Sequence, residues 1–289
     1  MDLSDRIETG MQTAIRYATA NGCPQKLGNA LKYAVFPGGA RIRPRLCLAV
    51  SLACGDKDPR VANACATAIE LLHCASLVHD DLPCFDNAAT RRGKPSVHKE
   101  YGEEIALLVG DGLIVTAFET LARETLHAPE LTARLIATIA NAVGSPYGIV
   151  AGQAWESEEK INITAYHRAK TASLFTGAVS AGALSSSGNP LDWYALADAL
   201  GAAYQVADDL YDAMDDTDSM GKPAGQDAEN GRPNLVAELG VQGALKKLQE
   251  LVETAAESIP DCEGADLLSA MIHKEAKRLM PAKLAASAA

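Results

Sequence analysis

The chain has 289 residues and a formal charge of −11, from 26 Lys plus Arg against 37 Asp plus Glu. With 48% apolar and 22% charged residues it falls among globular proteins, which excludes disordered, collagen-like and coiled-coil classes for its bulk. The acid excess excludes nucleic acid as a main partner, since a phosphate backbone demands a basic footprint, and a phosphate-bearing substrate would need local Arg, Lys or metal.

Alanine supplies 52 residues. It is the best helix former and lets helices pack closely, so an all-α, single-domain helical bundle over 1–289 is expected. The start, Met1 to Asp5, carries no cationic apolar leader, and Glu70, His73 and Asp80 interrupt the greasiest region. No transmembrane segment and a cytoplasmic location are expected. Seven Cys with no C-x-x-C pair read as reduced structural thiols.

Breaks fall at Gly38-Gly39 with Pro44, at Pro83, Gly93 and Pro95, at Gly144 to Gly148, and at Gly188-Asn189-Pro190. Residues 220–233, rich in Gly, Pro and Asp, read as a long loop, and about 282–289 as a frayed tail. Strand signals are weak. Residues 61–81 read as a central buried helix whose exceptions, Glu70, His73, Ser76 and Asp80, are spaced by three, three and four and share one stripe. Residues 192–212 repeat the pattern, with Gln205, Asp208, Asp209 and Asp212 on one side and Asp198 interrupting earlier. A buried helix with one polar stripe lines a cavity or a closed hydrogen-bond network.

Both stripes end in acidic clusters. In Asp80-Asp81-Leu-Pro-Cys-Phe-Asp86, Pro83 must stop or kink the helix, which lets Asp86 swing back towards Asp80. In Asp208-Asp209-Leu-Tyr-Asp212 the outer carboxylates are i, i+4 neighbours. Carboxylates ending apolar helices repel one another, and a hard cation such as Mg²⁺ relieves that cost with help from phosphate oxygens. Cations stand beside each cluster: Arg41, Arg43 and Arg45, then Arg91, Arg92 and Lys94, then Lys170, and Lys222 and Arg232 in the long loop. Arg binds phosphate as a fork and Lys as a point charge. Together they read as one diphosphate held through metal and a second held by cations alone.

With these motifs the chain resembles the trans-isoprenyl diphosphate synthases of the polyprenyl synthetase family, from Phe36-Pro-Gly-Gly-Ala-Arg-Ile-Arg-Pro44 to about Asn234. Within it the likeness is to geranylgeranyl diphosphate synthases of carotenoid and bacteriochlorophyll pathways. The resemblance implies an isoprenoid synthase fold around a deep cavity and a homodimer. It implies three Mg²⁺, two on Asp80 and Asp86 and one on Asp208, with Asp81, Asp209 and Asp212 in support. Arg91, Lys170 and Lys222 would hold an allylic diphosphate (dimethylallyl, geranyl or farnesyl), with Arg232 in place of a further family Lys. Arg43, His73 and Arg92 would hold isopentenyl diphosphate, and Thr171 and Gln205 would face the developing carbocation. Ala40 stands where the family has a Lys, and Arg41 and Arg45 are the nearby cations to replace it; Ala88-Ala89 stands where an acidic pair is common. Ala75, five before Asp80, would form the cavity floor with Ser76 and Leu72. Its small size implies a C20 product, with Leu71, Leu72 or Phe118 as the stop. The alternatives are a C15 farnesyl diphosphate synthase, a longer-chain synthase and a non-catalytic regulatory subunit; a terpene cyclase would replace the second Asp cluster.

Overall fold

The computed structural model describes residues 2–36, 39–213 and 235–278. Helices dominate it: α1 (Leu3–Ala18), α2 (Gln25–Val35), α3 (Ile42–Ala53), α4 (Pro59–Asp80), α5 (Val97–Tyr101), α6 (Glu103–Glu124), α7 (Pro129–Val143), α8 (Ile149–Trp155), α9 (Ile163–His167), α10 (Ser173–Ser185), α11 (Tyr194–Ala213), α12 (Leu235–Glu257) and α13 (Ala265–Arg278). A π-helical turn, Arg168–Ala172, joins α9 to α10, and a 3₁₀ turn, Pro190–Trp193, leads into α11. The only strands among the described residues are β1 (Thr90–Arg91) and β2 (Lys94–Pro95), paired antiparallel.

Local chemistry sets the ends of α4. Asp58 caps it by accepting from the Arg60 and Val61 amides, and Pro59 takes the first turn, where a missing N–H costs nothing. At the other end Pro83 cannot continue a helix, and α4 stops at Asp80.

Two apolar cores share α3 and α10. The first gathers Ile7 and Met11 of α1, Ile69 and Leu72 of α4, Leu113 of α6 and Leu48 and Leu174 from the inner faces of α3 and α10. The second uses the other faces, with Val50 and Phe175 against Leu196 and Ala203 of α11, Leu248 of α12 and Ile272 of α13. Helices α4 and α11, which carry the two acidic clusters, therefore lie on opposite sides of α10. Every Cys is unpaired; burial pushes the Cys47 thiol up to about 12 and, with Glu70 adding to it, the Cys74 thiol to about 11.

Helices α4 and α6 are each long and apolar enough to cross a membrane by length and composition, despite the polar residues in α4. The apolar window of α4 is 78% buried within the bundle, as a core helix should be, whereas that of α6 is 44% buried.

Candidate active site

The first acidic cluster is folded by the backbone. After α4 ends, the Asp86 amide donates to the Asp80 carbonyl at 3.0 Å, so the chain turns back as the proline implies. The β1–β2 hairpin follows, with Arg92 and Gly93 as its two turn residues, both at positive φ (55° and 72°), as a tight two-residue hairpin requires. The hairpin returns Arg91 to the end of α4. Its Nε donates to both Asp81 oxygens at 2.9 and 3.1 Å, Nη2 bonds Asp81 as well, and Asp80 lies 3.7 Å away. The Arg92 guanidinium lies against Gly39, where a Cβ would be 2.9 Å from Cζ.

A cavity of about 280 Å³ opens here. His73, Ser76 and Asp80 of α4, Arg43 of α3, Arg91 and Arg92 of the hairpin, Lys170 and Thr171 of the π-turn and Asp208 of α11 all stand on its wall. A second, more apolar cavity of about 450 Å³ continues from it, sharing Ser76, Asp80, Ile149 and Gln153. Leu72, Ala75, His79, Ile114 and Val143 line its depth. A charged chamber thus runs into a greasy one along a single stripe of α4.

Charges on the wall are arranged in pairs. Lys170 bonds Glu156 and stands 3.6 Å from Asp80; Glu156 also accepts from the Tyr166 hydroxyl at 2.7 Å and from Gln153 Nε2 at 3.0 Å. The Thr171 hydroxyl donates to Gln205 Oε1 at 2.8 Å, and Gln205 Nε2 donates to Asp209 at 2.9 Å. Asp209 is buried and its other oxygen accepts the Leu235 amide at 2.7 Å, capping the start of α12. On the far wall Arg43 Nη1 is 3.5 Å from His73 Nε2, and its guanidinium lies 4.5 Å over the Phe175 ring. Burial first, and neighbouring cations with it, hold both Arg43 and His73 below their ordinary values, His73 strongly so.

Most residues singled out in the sequence meet at these walls, and several do not. Asp81 and Asp86 are off the 280 Å³ wall, Asp81 being engaged by Arg91 and Asp86 half-buried beside the turn. Gln205 and Asp209 stand behind Thr171, facing a separate 440 Å³ cavity between α11 and α12. Glu70 shares the α4 stripe but is buried against Arg41 at 2.7 Å. Arg41 also donates to Glu8 and the Val35 carbonyl, and although burial opposes its charge, Glu70 raises its pKa. Arg45 donates to Ser4. Neither Arg41 nor Arg45 reaches the cavity to replace a lysine at Ala40. Leu71 and Phe118 are absent from the apolar cavity wall, which uses Leu72, Ile114 and Val143 instead. Lys222, Arg232 and the tail lie outside the described residues, as does the Asp212 side chain. Sequence reasoning missed Gln153, Glu156 and Tyr204. Tyr204, at four before Asp208, carried a usable signal.

The donor set fits magnesium. Asp80 and Asp208 offer hard oxygen ligands on the wall of a cavity that also carries Arg43, Arg91, Arg92 and Lys170. Among the described residues no three His, Cys, Asp or Glu side chains converge to hold an ion unaided. Phosphate oxygens from a substrate, with water, would complete the shell of an ion here, which is how Mg²⁺ is commonly bound.

Comparison with known proteins agrees with this geometry. Residues 24–266 match the polyprenyl synthetase family model. The chain is 50% identical over 286 residues to a geranylgeranyl diphosphate synthase of Cereibacter sphaeroides, covering 99% of each. It is 40% identical to a farnesyl diphosphate synthase of Geobacillus stearothermophilus, covering 89% of this chain and 91% of that one. A geranyltransferase of Helicobacter pylori, solved with magnesium and isoprenyl diphosphate, superposes with a TM-score of 0.77 at 28% identity, over 94% of this chain and 96% of that one.

Proposed function

The chain belongs to the polyprenyl synthetase family, and from that premise we propose that it condenses isopentenyl diphosphate head to tail with allylic diphosphates to make C20 geranylgeranyl diphosphate. Dimethylallyl, geranyl and farnesyl diphosphates are its successive primers. The observation that carries the reading is the junction of a charged chamber with an apolar one along the His73–Ser76–Asp80 stripe. A substrate with a diphosphate head and a hydrocarbon tail spans both.

Asp80, Asp86 and Asp208, with Asp81 and Asp212 in support, would hold three Mg²⁺, which would supply Lewis-acid stabilisation of the leaving diphosphate. Lys170 and Arg91 add fixed positive charge where negative charge builds as the allylic C–O bond ionises. Arg43, His73 and Arg92 hold isopentenyl diphosphate, whose double bond attacks the cation. Thr171 presents oxygen to the cation, and Gln205 fixes the Thr171 hydroxyl. The departing diphosphate takes the proton lost on coupling, so no side-chain base is needed. The apolar chamber keeps water from the cation.

The Cereibacter relative and the small floor at Ala75 favour C20. A C15 product is the second reading, favoured by the Geobacillus relative. A regulatory subunit is disfavoured, because both acidic clusters are intact. Leu107, Leu108 and Val115, exposed on α6, favour a homodimer, and seven unpaired cysteines fit a cytoplasmic setting.

Incubation with labelled isopentenyl diphosphate, each allylic primer and Mg²⁺, with product length read by chromatography, tests the reading; C20 is expected to dominate. Asp80→Ala and Asp208→Ala should each lower turnover by about 10³-fold or more while circular dichroism stays unchanged. Retained Mg²⁺-dependent turnover in either variant removes that cluster from the mechanism.

A further inference from the structure

Tyr204 is a polar group on the cavity wall that the reaction above leaves without a part. It lies on α11, and its ring lines the charged chamber together with Arg43, His73 and Arg92. The ring is 4.5 Å from that of Phe175, and the Arg43 guanidinium rests over both, 4.5 Å from Phe175 and 5.8 Å from Tyr204. The two aromatics form a shelf that carries Arg43. For that purpose phenylalanine would serve as well as tyrosine.

The hydroxyl is the unexplained atom. It is buried, and no group among the described residues bonds it. Asp208 and Glu275, whose charges reach it, lie beyond hydrogen-bond distance. A buried hydroxyl without a partner costs stability, and such groups are nearly always satisfied by protein, water or ligand. Burial, more than any neighbouring charge, pushes the phenol up, so the oxygen keeps its proton and acts as a donor at any neutral pH. Beside it Arg43 Nε is also buried and unsatisfied. Two unsatisfied donors on residues that line a chamber with Arg91, Arg92 and Lys170 suit an acceptor that carries many lone pairs and negative charge.

We propose that Tyr204 is a further substrate-binding residue, its hydroxyl donating to a phosphate oxygen of the isopentenyl diphosphate held by Arg43 and His73. The assignment rests on the prenyltransferase reading. It predicts that the oxygen contributes to one substrate site and not the other, since the proposed function gives the allylic diphosphate to Lys170 and Arg91 instead.

Tyr204→Phe removes one atom and keeps the aromatic shelf. KM for isopentenyl diphosphate should rise about tenfold or more, the worth of one hydrogen bond to a charged group, while KM for the allylic primer stays within about twofold. Tm of the ligand-free variant should equal or exceed that of the parent, because an unsatisfied polar atom is gone. A KM for isopentenyl diphosphate within about twofold of the parent overturns the proposal, and so does a parallel rise in both KM values. Calorimetric titration with inorganic diphosphate reads the same contact without turnover: weaker binding by the variant supports it, and equal binding counts against it. Absence of isopentenyl-dependent turnover in the parent protein would instead sink the prenyltransferase reading, so the two failures are separable.

Discussion

His73 is buried beside Arg43, and burial first, then Arg43, Arg92, Arg91 and Arg41, hold its pKa well below 6.5. The free protein therefore carries it neutral near pH 7. The unfolded chain takes up a proton near 6.5 that the folded chain refuses, so this group makes stability rise with pH and fall as pH drops below 6.5. Its slope is at most about 1.4 kcal/mol per pH unit. Thermal melts between about pH 7.5 and pH 5.5 should show the loss, and His73→Gln should flatten it. A bound diphosphate works the other way, raising the pKa through its negative charge. Calorimetry in buffers of differing ionisation enthalpy should then register proton uptake when isopentenyl diphosphate binds; no uptake would separate His73 from that site. Ala75 argues the neighbouring specificity. It is fully buried and lines the apolar chamber, so Ala75→Tyr places a ring where the growing chain must go. The expected result is a shift from C20 towards C15 products at a folding cost of about 1–3 kcal/mol from overpacking. Unchanged product length would move the floor elsewhere.

Helix α8 approaches the π-turn more closely than any side chain permits. A Cβ on Gly152 would lie 2.4 Å from the Lys170 amide nitrogen and 2.5 Å from its Cα, backbone atoms that cannot swing aside. Gly152→Ala should therefore push Lys170 and Thr171 off their positions together. Overpacking of this kind costs about 1–3 kcal/mol, and kcat should fall more than KM rises, because Lys170 would act on charge that develops during ionisation. A Tm and kcat equal to the parent's would show that the π-turn tolerates the shift. Elements like this mark where the sequence was and was not legible. The His73, Ser76 and Asp80 stripe could be read directly, since a helix puts residues three and four apart on one face. So could the turn back to Asp86, because Pro83 forces it. Glu70 fits the same stripe, yet it serves Arg41, whose residue adopts a left-handed backbone (φ 52°) that no local pattern announces. Glu156 was hidden within the charged run from Glu156 to Lys160, and only folding brings it to Lys170. Asp209 stood in its motif as a carboxylate in support of the ions, and the fold also uses it to cap a helix 26 residues further on.

At the scale of the molecule, α6 has two faces with different duties. Its inner face supplies Leu113 to the first core and Ile114 to the apolar chamber. Its outer face exposes Leu107, Leu108 and Val115, which at spacings of seven and eight fall on one stripe. Single exposed apolar residues are ordinary, but a stripe on a 22-residue helix needs covering. The two faces are mechanically joined, since the His79 imidazole on the chamber wall sits 3.3 Å from the Leu107 carbonyl oxygen and packs on Gly110. A second copy seated on the outer face would therefore also brace the chamber. Val115→Glu would put a charge in such an interface, and an unpaired buried charge is costly enough to break it. Light scattering should then report a monomer for the variant and a dimer for the parent, with helical content unchanged. Because Ile114 and His79 lose their backing in that monomer, its products should spread in length around C20, whereas the parent's stay narrow. A variant that remains dimeric would place the interface on another surface, and a monomer with the parent's product profile would show that the chamber wall stands without its neighbour.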